Sequence, residues 1–213
     1  MKIINAGYEI LTQISENGKE ELQHIEKIGR VCYKSEERIT EDGKSAKEFV
    51  KRVIDRGHEA MIEHSSLSVK FIVDRGVSHE LVRHRIASFA QESTRYCNYS
   101  KDRFDNGVTF IRPVFFAEGT FQYSDWLMAM GEAEKTYLEL LKEGATPQEA
   151  RSVLPNSTKT EITITANYRE WRNFFKLRTE KAAHPQMREV TIPLLAELKQ
   201  KLPVVFDDIE AEV

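Results

Sequence analysis

The amino-acid sequence predicts an α+β fold in a single domain of 213 residues. Two segments, 67–73 and 162–166, alternate apolar and polar residues as half-buried β-strands do. Between them, Trp126–Leu141 repeats apolar residues at helical spacing, which is typical of a helix with one buried face. There is no internal repeat, low-complexity tract or linker-like stretch, so we expect one domain spanning residues 1–213.

The N-terminal part is predicted to form a strand and two helices. Lys2–Ile14 carries isoleucines on both sides of a glycine and is predicted as a strand, and Lys19–Tyr33 has apolar residues at helical spacing. Ser45 with Glu48 three residues later has the spacing of a capping box, so a second helix is expected to run from there to Arg56.

Capping residues predict where the later helices begin. Ser78 is expected to cap a helix that carries Arg83 and His84, and Thr146 is followed by the proline and glutamate of a capped short helix. Asn167 is expected to cap a helix that runs to about Lys181. The last helix is predicted over 186–202, with Pro193 kinking or splitting it.

Composition excludes several classes of protein. With 40% hydrophobic and 31% charged residues the chain is typical of a globular protein, and its net charge of −3 argues against a general nucleic-acid binder. No stretch approaches the roughly 18 apolar residues of a membrane-spanning helix. The N-terminus lacks an apolar signal core, and Cys32 and Cys97 are two distant cysteines, so we expect reduced thiols and a cytoplasmic location.

The most informative segment is Arg83–Arg95, which contains three arginines, a histidine and two serines. Each guanidinium presents a fixed fork of donors suited to a phosphate. The alternative is a solvated basic surface. Apolar Val82, Ile86 and Phe89 run through the segment, so part of it is expected to be buried, and a buried arginine needs a partner.

A second dense segment, His58–His64, contains two histidines and two glutamates. The histidines are six residues apart, not the four of a zinc-protease helix. A metal site, a pair of structural histidines and a ligand-contacting loop all remain open at this point.

The helix after Asn167 places Arg178 on its aromatic face, beside Trp171 and Phe174, and places Arg169 and Asn173 on the opposite side. A charge on the aromatic side requires an anion or a polar ring as its partner, and an internal salt bridge would satisfy it equally. The functional interpretation is a helix that offers polar groups to two ligand sites.

The order Arg83-His84-Arg85, seven residues, then Ser93-Thr94-Arg95 resembles the signature of flavin-dependent thymidylate synthases. Further segments resemble that family in the family's own order. They are Gly57-His58-Glu59 with Glu63-His64, Ser78–Arg83, Ala150–Pro155, Ala166–Arg169 and Phe175–Arg178.

The resemblance implies a central mixed or antiparallel sheet flanked by helices and an FAD-dependent reductive methylation of dUMP to dTMP. Methylenetetrahydrofolate would give the one-carbon unit, and NADPH would reduce the flavin, which would deliver a hydride. No cysteine nucleophile is used. The family also implies a homotetramer whose active sites are shared between subunits.

The resemblance also assigns residues. Arg178 would be the catalytic residue, stabilising uracil deprotonated at N3. The implied dUMP contacts are Glu80, Leu81, Val82, Arg83, Gln91, Glu92, Ser93, Thr94, Arg95, Arg151 and Arg178. The implied FAD contacts are His58, Ala60, Glu63, Arg83, His84, Arg85, Gln91, Asn167, Tyr168, Arg169 and Asn173.

Two positions depart from the family pattern. Ala60 stands where family members often carry serine or threonine beside the flavin. The stretch Thr179–Gln186 holds an extra residue relative to some members, so His184 is expected at a helix start or on the folate side.

Two other functions remain open from the residues alone. One is a non-catalytic RNA- or nucleotide-binding module built on the arginine segment. The other is a metal-dependent phosphohydrolase that uses His58, Glu59, Glu63, His64 and His79.

Overall fold

A computed structural model describes residues 1–212. Along them lie six strands and seven α-helices, which confirms the predicted α+β class. The strands are β1 (Lys2–Ile4), β2 (Gly7–Ile10), β3 (Ser66–Asp74), β4 (Ala87–Gln91), β5 (Thr109–Ile111) and β6 (Lys159–Asn167). The helices are α1 (Lys19–Val31), α2 (Lys44–Asp55), α3 (Arg75–Leu81), α4 (Phe121–Lys142), α5 (Pro147–Ala150), α6 (Tyr168–Arg178) and α7 (Pro185–Lys201).

Four strands form one sheet in the order β2-β3-β6-β4, and β1 pairs with β5 in parallel. The long strands β3 and β6 alternate buried and half-buried residues, as their sequences predict. The predicted N-terminal strand is two short strands, because the chain leaves extended pairing between Ile4 and Gly7.

The chain divides into two compact units. The first unit comprises residues 1–8, 70–83 and 89–163, and the second comprises residues 9–69, 84–88 and 164–213. Each strand of the four-stranded sheet contributes residues to both units. The assignment of the chain to one domain therefore stays a prediction.

Each unit has its own apolar core. In the first unit, α4 places Met130 and Tyr137 against Val108 and Phe110. In the second unit, the aromatic face of α6 is buried, with the ring of Phe175 centred 5.8 Å from that of Trp171 and 5.6 Å from that of Phe206. Since α6 carries the predicted catalytic arginine, this core fixes the helix that positions it.

Local capping was predicted correctly for two helices. Thr146 and Glu149 form the reciprocal capping box of α5, and the side chain of Asn167 accepts a hydrogen bond from the Glu170 amide at 2.8 Å. His184 caps α7, since its Nδ1 accepts from the Gln186 amide at 3.3 Å, which confirms the predicted helix-start position. Helix α7 continues through Pro193 as one helix.

Two capping predictions were wrong. Helix α3 begins earlier, because Asp74 accepts a hydrogen bond from the Val77 amide at 2.8 Å and takes the place assigned to Ser78. The helix then ends at Leu81, so Arg83 and His84 follow it.

Helix α2 has Gly43 at its N-cap, and the Ser45 hydroxyl lies inside the helix, where it donates to Glu26 at 2.8 Å.

Among residues 1–212, none of the helices combines the length and apolar content that a membrane span requires.

Candidate active site

The predicted dUMP residues, except Arg178, all belong to the first unit. They lie at and just after the end of α3, at the end of β4 and in the turn that follows it, and, for Arg151, directly after α5. Gln91 is fixed within this unit, since its Nε2 donates to the hydroxyls of Ser78 at 2.9 Å and of Thr160 at 3.2 Å. The Gln91 side chain is thereby held at the end of β4.

Glu92 lies among several polar side chains of the same unit. Its carboxylate accepts hydrogen bonds from the Tyr99 hydroxyl and from Nζ of Lys159, each at 2.9 Å. Burial, with the nearby Glu92 charge, raises the pKa of Tyr99 well above its usual range, so this phenol stays protonated as a donor. Both oxygens of Glu92 are therefore engaged by protein groups.

The three arginines of this unit that are predicted to contact dUMP are exposed and hold few protein partners. Arg83 has no side-chain hydrogen bond or ion pair within residues 1–212. Arg95 stacks its guanidinium over Tyr96 at 5.4 Å, and Arg151 donates to the Thr94 hydroxyl at 3.2 Å. Guanidinium groups in this state can accept a phosphate without first losing a carboxylate partner.

The residues between the end of α3 and the turn after β4 differ in exposure. Leu81 is fully buried, so its side chain serves the core of the unit. Part of the arginine segment is buried, as predicted, but at His84 and Thr94, which are 7% and 5% exposed. Of the apolar residues on which the prediction rested, Val82 is 37% and Ile86 71% exposed, and Phe89 is half-buried. Val82 and Ile86 are exposed because they lie between the end of α3 at Leu81 and the start of β4 at Ala87.

In the second unit, Arg178 meets a polar ring, one of the two partners that its position on the aromatic face required. Its Nε donates to Nε2 of His84 at 3.0 Å, and Nδ1 of His84 lies 3.3 Å from a carboxylate oxygen of Glu170. His84 is 7% exposed and rests on Phe174 with ring centroids 4.9 Å apart. The three side chains form one hydrogen-bonded chain.

The protonation state of His84 follows from this arrangement. Burial, and then the positive charge of Arg178, lower the pKa of His84 below 6.5. The neutral ring can accept from Arg178 at Nε2 and donate from Nδ1 to Glu170. The Arg178 backbone is fixed as well, because the buried Thr191 hydroxyl lies 2.9 Å from its carbonyl oxygen.

The opposite side of α6 borders a cavity of about 480 Å³. The cavity is lined by Glu59, Glu63, Ile86, Asn167, Arg169, Glu170, Asn173 and Lys176. Arg169 donates to Glu63 at 2.5 Å, which places these two predicted residues together. The size falls in the range of small-molecule sites.

Arg172 is a structural residue that the sequence reasoning missed. It is 1% exposed, forms two hydrogen bonds to Asp208 at 2.6 and 2.7 Å, and lies 3.0 Å from Glu59. Its place one turn after Tyr168 and before Phe175 on the buried face could have indicated a buried arginine. It orients Glu59 at the edge of the cavity.

Comparison with known proteins decides the family. The family model described as thymidylate synthase complementing protein matches residues 13–204. The flavin-dependent thymidylate synthase of Corynebacterium aurimucosum is 32% identical over 206 residues, which cover 92% of this chain and 83% of that protein. The chain belongs to the flavin-dependent thymidylate synthase family.

Further similarities agree with this family. The flavin-dependent thymidylate synthase of Pyrococcus abyssi is 35% identical over 78% of this chain and 66% of its own length. The fold resembles the crystal structure of a UMP/dUMP methylase, PolB from Streptomyces cacaoi, bound with 5-Br dUMP. The TM-score is 0.76 at 22% identity, with 97% and 96% of the two chains covered. These similarities confirm two predictions: that the protein is an enzyme of this family, and that it has the family's fold.

A flavin-dependent thymidylate synthase carries FAD, and the cavity beside α6 offers groups that fit it. Asn167 uses its side-chain oxygen to cap α6, and its Nδ2 has no protein partner among residues 1–212. Arg169, Asn173 and Lys176 are further donors on the same wall. A flavin presents ring carbonyl and nitrogen acceptors and an anionic pyrophosphate, so a donor-rich wall of this kind suits it.

The other residues predicted to contact FAD lie in different settings. Tyr168 is 1% exposed, and burial raises its pKa above its usual range, so its side chain belongs to the core. Arg85 and Ala60 are exposed outside the cavity lining. His58 pairs with the Tyr33 hydroxyl at 3.4 Å and lines a different cavity.

The histidine and carboxylate segment also bears on the metal alternative. Among residues 1–212 there is no group of three or more histidine, cysteine, aspartate or glutamate side chains arranged to hold a metal ion. Glu59 and Glu63 instead pair with arginines of α6.

Proposed function

We propose that this protein makes dTMP by FAD-dependent reductive methylation of dUMP, with methylenetetrahydrofolate as the one-carbon donor and NADPH as the reductant. The bound flavin supplies the hydride. The observation that carries the proposal is the Arg178–His84–Glu170 chain within a member of the flavin-dependent thymidylate synthase family. In this chain the neutral His84 ring holds the Arg178 guanidinium in a fixed position.

Arg178 is the proposed catalytic residue. A uracil deprotonated at N3 carries negative charge, and a cation already fixed beside it lowers the barrier without reorganising. His84 contributes by accepting the hydrogen bond from Nε, which fixes the direction of the guanidinium. The neutral state of His84 is needed, because an imidazolium cannot accept the hydrogen bond.

The first-unit arginines are the proposed phosphate ligands. Arg83, Arg95 and Arg151 are exposed cations without a carboxylate partner among residues 1–212, which supports their binding to the dUMP phosphate. Ser93 and Gln91 would position the nucleotide by hydrogen bonds. The remaining contacts proposed for dUMP are those that the family resemblance implies.

The cavity beside α6 is the proposed flavin site. Asn167, Arg169 and Asn173 would hold the cofactor, with Glu63 orienting Arg169 through their hydrogen bond. His84 borders α6 on the side of Arg178, so the same helix would serve cofactor and nucleotide.

The proposed assembly is a homotetramer with shared active sites. The proposed location is the cytoplasm, in keeping with two free cysteines.

The proposal has a direct test. Purified protein should bind FAD, oxidise NADPH in a manner that depends on dUMP, and yield dTMP detectable by mass spectrometry. A protein that remains colourless and takes up no added FAD would contradict it.

A further inference from the structure

A second cavity, of about 190 Å³, lies between α1, α2 and the segment that joins them. Four arginines line it, and no acidic residue does. The arginines are Arg30, Arg38, Arg52 and Arg56. The cavity belongs wholly to the second unit and is separate from the one beside α6.

The floor of this cavity is buried and structurally fixed. Arg30 is 6% exposed, donates two hydrogen bonds to Glu26 at 3.0 and 2.7 Å, and stacks over Phe49 at 4.9 Å. Glu26 therefore neutralises Arg30. This ion pair compensates the charge of Arg30 but not the charges of the other three arginines.

The rim carries the free positive charge. Arg52 and Arg56 have no side-chain hydrogen bond or ion pair with any described residue, and Arg38 has only an exposed contact with Glu37 at 3.4 Å. Three guanidinium groups on the rim of one cavity repel one another unless an anion lies between them.

A serine hydroxyl at the cavity also points to a ligand. Ser35 is 9% exposed and lines the cavity, and within the described part of the chain its Oγ has no hydrogen-bond partner. Two of the arginines lie at the C-terminal end of α2, where a cation is favourable on its own account. That effect explains neither Arg38, which lies on another segment, nor the unpartnered Ser35 hydroxyl.

We propose that this cavity binds the 2′-phosphate of NADPH. A phosphomonoester carries close to two negative charges at neutral pH and accepts several hydrogen bonds, which matches three free guanidinium groups and a hydroxyl. Arginine is the residue that accommodates this phosphate in other NADP-binding proteins. The inference rests on the proposed function, in which NADPH is the reductant.

The position of the cavity suits a reductant of the flavin. His58 lines this cavity, and the next residue, Glu59, lines the cavity beside α6. A dinucleotide anchored by its phosphate at one cavity can therefore extend toward the other along the Glu59–His64 segment. Neither the cavity lined by Lys19 and Lys44 nor the one lined by Lys51 and Asp208 shares such a boundary with the proposed flavin site.

The experiment compares binding of 2′,5′-ADP and 5′-AMP to the FAD-loaded protein by calorimetry, since only the first ligand carries the 2′-phosphate. The wild type should prefer 2′,5′-ADP. The double variant Arg52→Gln, Arg56→Gln should lose about tenfold or more of that preference, as expected for lost charge-assisted hydrogen bonds. Ser35→Ala should weaken it in the same direction by a smaller factor.

Lys51→Gln is the matched control, because it removes one positive charge from the same helix outside this cavity. It should leave the preference unchanged. In turnover, the double variant should raise KM for NADPH while KM for NADH and for dUMP stays constant.

An unchanged preference for 2′,5′-ADP in the double variant would overturn the inference. So would weaker FAD retention or a higher KM for dUMP with the NADPH-to-NADH ratio unaltered, because the cavity would then serve another phosphate. If the wild type makes no dTMP, the proposed function fails, and the titration still decides whether the cavity binds the 2′-phosphate.

Discussion

Nε of Arg178 donates a hydrogen bond to Nε2 of His84 across 3.0 Å, although the two residues are 94 positions apart. The contact joins the C-terminal end of α6 to the segment between α3 and β4. It fixes both the direction of the guanidinium and the tautomer of the imidazole.

Replacing Arg178 by alanine is expected to lower kcat by about a hundredfold or more, since it removes a fixed positive charge at the proposed site of developing negative charge. Arg178→Lys should lose nearly as much, because an ammonium has no Nε–H to place against His84. Steady-state kinetics and flavin absorbance measure the two effects separately.

Both Arg178 variants should retain FAD, and Lys181→Gln, an exposed charge change three residues later, should leave kcat unaltered. Wild-type turnover in either Arg178 variant would remove the proposed role of this residue.

The low pKa of His84 predicts a pH dependence of stability. The unfolded state takes up a proton near pH 6.5, whereas the native ring does so only at lower pH. Stability from this group is therefore complete above pH 6.5 and is lost as the pH falls from there to the native pKa. Urea unfolding at pH 7.5 and 5.5 measures the loss.

The control is His84→Gln, which cannot titrate. The variant should be less stable than the wild type at pH 7.5, yet lose less stability between the two pH values. Equal losses in both proteins would show that His84 titrates normally.

Arg172 is expected to be essential for stability. Replacing it by methionine leaves Asp208 without its cation and leaves Glu59 with Arg169 alone, at 3.9 Å. Because Asp208 is 47% exposed, we expect a loss of about 3 kcal/mol of unfolding free energy, the lower end of the range for breaking a buried pair. Lys51→Ala, which removes an exposed pair with Asp55, should cost less than about 1 kcal/mol. Similar losses in both variants would contradict the structural role of Arg172.

Asn167 has two roles that one substitution can separate. Asn167→Ser retains an oxygen that can cap α6 but removes the amide donor that faces the proposed flavin cavity. We expect unfolding free energy to change by less than about 1 kcal/mol, and FAD affinity to fall about tenfold. Fluorescence titration with FAD measures the affinity; unaltered affinity would exclude Asn167 from the flavin site.

Local signals in the sequence predicted the elements that depend on near neighbours. The Thr146 capping box, the Asn167 cap and the alternation of β3 and β6 each lie within a few residues, so their physical cause is visible in the sequence. Ser78 failed as a cap because Asp74, four residues earlier, offers a carboxylate to the same turn.

Long-range partners could not be predicted in this way. The aromatic side of α6 required a partner for Arg178, but nothing local distinguishes His84 from an acidic residue elsewhere in the chain. Arg172 is a similar case, since its partner Asp208 lies 36 residues away. The family resemblance named the candidate site residues, whereas the structure supplied the contacts that give some of them a physical role.

The most direct test of the account is the folate product formed when FAD-loaded protein converts dUMP to dTMP. If the flavin provides the hydride, the folate gives up only its methylene group and leaves as tetrahydrofolate, with one NADPH consumed for each dTMP. Chromatography with mass spectrometry should find tetrahydrofolate and dTMP in equal amounts. Dihydrofolate as the product, or no dTMP from protein that holds FAD, would contradict the central claim.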